Sequence, residues 1–114
     1  MTRLSAFIES IGLLGPGLRD WPDAAQVLAG HATYVPERTA LPAPAGLPPA
    51  ERRRTGQVVK VALAIGHEAV TASGRDAATL ATVFASSGGD GLNCHVICET
   101  LAGEDRQLSP TRLH

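Results

Sequence analysis

The chain has 114 residues, 44% of them hydrophobic and 18% charged, which is material for one small core and excludes disorder by composition. Ten basic residues face eleven acidic ones and aromatics are only 4%, so the footprint of a nucleic-acid binder is missing. No stretch reaches the roughly 18 apolar residues of a membrane span, no export signal is read at the N-terminus, and two cysteines fit reduced thiols, so a soluble, cytoplasmic protein is expected.

The first element is "LSAFIESIGLLG", Leu4 to Gly15. Leu4, Ala6 and Ile8 alternate with Ser5, Phe7 and Glu9, which predicts a strand ended by Gly15-Pro16-Gly17. "DWPDAAQVLAG" predicts a short helix, with Asp23 as a possible cap and Gly30 as its stop. Residues 31–49 are rich in proline and lack periodicity, which marks a Pro/Ala-rich surface loop. The run from Pro48 to Gly74 then predicts one long helix. Its first turns carry Glu51, Arg52, Arg53 and Arg54, three positive charges against the dipole of a helix N-terminus. Its later part, Val58 to Val70, is apolar nearly all round and calls for cover on every side, beyond what the chain itself contains.

"ATVFASS", Ala81 to Ser87, predicts a second strand, followed by a glycine bend and a helix over "LNCHVICETLAG". Two apolar strands joined through helices imply a parallel, right-handed crossover and an α/β class. The strand at Val83–Ser86 is expected beside the one at Phe7–Leu13, with the long helix across both. The bend "SSGGDG" invites a phosphate-cradle reading. It lacks the lysine and hydroxyl of a phosphate loop and the spacing of a dinucleotide fingerprint, and Asp90 puts a negative charge where a phosphate would sit. No nucleotide or other cofactor is expected. The glycines instead serve a tight turn, where a β-branched residue at Gly88 would resist the bend.

Four segments together carry a resemblance: "LSAFIESIGLLGPG", "LPPAERRRTGQVVKVALAIGHEAV", "ATVFASSGGDG" and "LSPTRLH". They resemble the N-terminal part of the β-ketoacyl synthase-like family, nearest its chain-length-factor-like branch in fatty-acid, polyketide and aryl polyene clusters. The resemblance implies the N-terminal half of a thiolase-like fold, so that residues 1–114 form a β-ketoacyl synthase-like N-terminal domain and a fragment of a longer protein. It also implies a cytoplasmic transferase assembly that condenses acyl groups held on acyl carrier protein. The partners would be a β-ketoacyl synthase subunit, as a heterodimer, or a second copy as a homodimer. The family's nucleophilic cysteine and histidine pair belong to a segment beyond "SPTRLH", so no catalytic residue is carried over and the chain by itself is expected to be non-catalytic.

The remaining polar residues complete the reading. Cys94 and Cys98 share a helix face at i,i+4 with His95 adjacent; a low-pKa thiolate and a metal ligand are weighed there, and small buried hydrophobes are favoured. No metal site is expected. His31, His67 and His114 show no spacing of a triad, and His67 reads as a hydrogen-bonded core or interface residue. Arg52, Arg53 and Arg54 are the candidate contact for an acidic carrier protein or partner, against the plainer reading of a solvated helix start. The alternative to a synthase component is a stand-alone, non-enzymatic interaction domain.

Overall fold

The computed structural model describes residues 1–112; Leu113 and His114, which end the "LSPTRLH" segment, lie outside the described residues. Among the described residues there are four α-helices: α1 Trp21–Leu28, α2 Pro49–Arg54, α3 Gln57–Ser73 and α4 Gly91–Ala102. Single 3-10 turns occur at Ala77–Thr79 and Pro110–Arg112. Among the described residues there is no sheet, and the one bridge joins Gly15 to Leu18 around the Pro16-Gly17 turn.

The α/β, thiolase-like expectation is therefore corrected: neither 4–14 nor 81–87 is a strand, and no parallel pair exists between them. The reason is that alternation only sorts side chains, whereas a strand needs a neighbour for its backbone N–H and C=O groups. In 4–14 the Leu13 N–H goes to a side chain on α3 instead. The large apolar residues of both sets stay outside, with Leu4 91%, Phe7 97% and Ile8 82% exposed.

A second correction concerns the long helix, which breaks at Thr55-Gly56 into α2 and α3. Thr55 is extended, at φ −75 and ψ 120, and its Oγ1 donates to the Glu51 carbonyl at 2.6 Å. The break moves the three arginines from a helix start to the last turn of α2, where positive charge complements the dipole. In α1 the cap is Asp20 rather than Asp23: Asp20 Oδ1 accepts from the Asp23 N–H at 2.8 Å, while Asp23 adds negative charge to the first turn. Gly30, at φ 79, follows the helix in the left-handed conformation that favours glycine.

Contacts divide the chain into two units, 1–40 with 63–82 and 41–62 with the residues from 83 onward. In the first unit the N-terminal segment is stitched to α3 by polar groups. Glu68 accepts the Leu13 N–H on Oε2 at 3.0 Å and the Trp21 N–H on Oε1 at 2.5 Å. Ser10 Oγ donates to the Ala69 carbonyl at 2.7 Å, and Gly12 lies so close to α3 that a Cβ there would collide with the Ile65 carbonyl. Arg75 Nε donates to Glu9 at 2.6 Å, and Tyr34 closes the Pro16 turn through its hydroxyl at 2.8 Å. In the second unit Asp90 caps α4 by accepting from Asn93 N–H at 3.3 Å. The bend before it places its left-handed residue at Gly89, φ 57, not at Gly88. Among the described residues only Ala24 and Pro44 are buried, and α3, expected to need cover all round, buries no residue.

Candidate functional site, a basic cleft at the arginine run

The second unit holds a cleft of about 490 Å³ where the end of α2, the start of α3, the start of α4 and the last described turn converge. Arg53, Arg54, Lys60 and Arg112 line it, against the carboxylates of Glu51 and Asp90. The excess is two positive charges.

Local structure explains each position. The α2 helix starts at Pro49, where a missing N–H costs nothing, and ends as Thr55 turns extended, so Arg53 and Arg54 sit on its last turn. Arg53 Nε reaches back to the Pro49 carbonyl at 3.4 Å, a long contact that leaves the guanidinium exposed. Gly56 begins the next helix beside Asp90, and a Cβ at that position would meet Asp90 Oδ2 at 2.7 Å. On the other wall Asn93 holds the final turn from both ends of its amide. Its Nδ2 donates to the Arg112 carbonyl at 2.9 Å, and its Oδ1 accepts from Arg112 Nη1 at 3.3 Å.

Of the three arginines singled out from sequence, two line the cleft. Arg52 does not; it is half-buried, with its Nε shielded from solvent and without a hydrogen-bond partner. Lys60 and Arg112 complete the basic wall and were missed. Lys60 is the chain's single lysine, standing in an otherwise apolar run, and that isolation is the signal that marks it. Arg112 lies too far along the chain for spacing to connect it.

The cysteine and histidine readings are corrected. Cys94 and Cys98 are exposed rather than buried, on a helix that, among the described residues, buries no side chain. The Cys98 thiol is pushed up by its hydrogen bond with Cys94, then by the charge Cys94 takes when ionised, then by desolvation. His95 lies 3.5 Å from Glu99 on the same helix, and His67 points to solvent instead of into a core. Among the described residues no group of three or more His, Cys, Asp or Glu is placed to hold a metal ion.

The cleft offers positive charge and hydrogen-bond donors. Among the described residues no helix is long and apolar enough to cross a membrane. Comparison with protein-family models, with curated proteins and with solved structures finds no match.

Proposed function

We propose that this chain is a non-catalytic component of a β-ketoacyl synthase-like assembly for fatty-acid or polyketide (aryl polyene-type) biosynthesis, completed by a partner polypeptide. The observation that carries it is surface left unburied, with large apolar side chains among it. The chain exposes 9276 Å², whereas a folded monomer of 11.8 kDa exposes about 5,900 Å². That excess on a single chain is larger than the roughly 1,000–2,500 Å² that each partner of a permanent interface buries. Phe7, Ile8, Val83 and Phe84 are among its largest contributors.

The resemblance supplies the class of assembly, and the basic cleft supports the rest. An excess of positive charge at Arg53, Arg54, Lys60 and Arg112 suits the acidic surface of an acyl carrier protein, steering encounter more than adding affinity. In the chain-length-factor-like role the subunit would pair with an active synthase and shape the acyl cavity, in the cytoplasm. The same exposed segments favour a second reading, a stand-alone interaction domain with no link to acyl chemistry.

Co-expression with an active β-ketoacyl synthase subunit tests this. The expected result is a complex of fixed stoichiometry in which residues 4–8 and 83–84 gain hydrogen-exchange protection, lost in Phe84→Ser. Charge reversal at Arg53 and Arg54 should slow association with acyl carrier protein and flatten its salt dependence. A sharp monomer in sedimentation that binds no hydrophobic dye would sink the assembly reading. A complex that forms equally well with unrelated partners would favour the stand-alone domain.

A further inference from the structure

Cys94 and Cys98 lie one helical turn apart on α4, a regular twelve-residue helix set by the Asp90 cap and ended at Gly103. Residues at i,i+4 have Cβ atoms about 5–6 Å apart on one face, so the backbone itself fixes the separation of the two side chains. Both residues are exposed and neither is in a disulfide. The nearness of Cys94 pushes the Cys98 thiol up from its ordinary value, in keeping with that spacing. No third His, Cys, Asp or Glu among the described residues joins them as a ligand group.

We propose that Cys94 and Cys98 form a two-thiolate site for a soft d10 cation, with copper(I) as the ion it fits. Thiolate donors select copper(I), and an ion satisfied by two donors is suited to a pair with no third ligand. Zinc asks for four ligands in structural sites and three in catalytic ones, and hard cations ask for oxygen. On binding, two copper–sulfur bonds form as two S–H bonds break; both protons go to solvent and the bound unit carries one negative charge. No electron is transferred. The site stands on α4 alone, independent of the assembly proposed above.

The test is a titration of the reduced, full chain with copper(I) against a chromogenic copper(I) chelator, without oxygen. The expected result is one ion per chain, two protons released per ion, and both thiols shielded from maleimide. Cys94→Ser and Cys98→Ser should each lose one-to-one binding while circular dichroism stays unchanged. Half an ion per chain, meaning that two chains share it, would overturn the proposal. Retained one-to-one binding in either single variant would do the same. X-ray absorption on the unmutated chain decides independently of the variants: two sulfur neighbours support the site, and any other first shell rejects it.

Discussion

Residues 9–21 and residues 81–89 are both rich in small and apolar side chains, yet only the first is held in place. In 9–21 the backbone has addresses: Glu68 takes two of its N–H groups, Ser10 reaches the Ala69 carbonyl, and Gly12 fits against Ile65. In 81–89 the hydrogen bonding among the described residues is local, Gly89 N–H to Ser86 Oγ at 2.9 Å, and Val83 and Phe84 stay 96% and 70% exposed. Apolar content alone therefore positions neither segment. What separates them is whether another element offers a polar group aimed at the backbone, since an unpaired N–H removed from water costs more than a hydrogen bond returns.

Removing the acceptor should erase this difference, and that is the largest effect expected. Glu68→Ala should weaken the docking of 9–21 by about 1.5–3 kcal/mol, the scale of hydrogen bonds to a charged group. The measurement is hydrogen exchange at the Leu13 and Trp21 amides, which should lose protection while 81–89 is unchanged. Protection surviving in Glu68→Ala would break the comparison. A smaller effect is expected in the other region. Gly89→Ala puts a Cβ on a residue at φ 57 and should loosen the entry to α4 by about 1–2 kcal/mol. Gly88→Ala, which has open space and no positive φ, should be nearly neutral, and α4 helicity in the two variants checks the contrast.

The smallest effect concerns pH. The Arg75 hydrogen bond, aided by its charge, holds the Glu9 carboxyl below its ordinary range and raises Arg75 in turn. Because the folded value lies below the unfolded one, the pair's contribution is complete above the ordinary glutamate range. It fades as pH falls through the lowered folded value. Both partners are exposed, so the effect should be slight and screened by salt. Glu9→Gln should remove that acid limb from the exchange profile of 9–14, and an unchanged profile would show that the pair does not help to hold the segment.

Much of the helical content was legible. Gly30 and Gly103 mark helix ends, proline punctuates the stretch before α2, and the run of Val, Ala, Leu and Ile after Gly56 reads as α3. These signals work because caps, stops and period act within a few residues. The break at Thr55-Gly56 was less visible, since nothing in the local pattern forbids a helix through Thr and Gly; it only makes one cheap to end. The cleft was half legible. Arg53 and Arg54 announce themselves as a charge run, but Lys60 and Arg112 join them only through the return of the chain to the start of α4.

The strands mark the boundary between the two levels. Local sequence determined where helices start and stop and which residues are apolar, because those choices are made within one turn. Whether Leu4–Leu14 and Ala81–Ser87 became strands was decided only by tertiary structure, because a strand is defined by hydrogen bonds to a neighbour that can lie anywhere in the chain. Here Glu68, 55 residues away from Leu13, took one of those hydrogen bonds, and among the described residues no strand pairs with the rest.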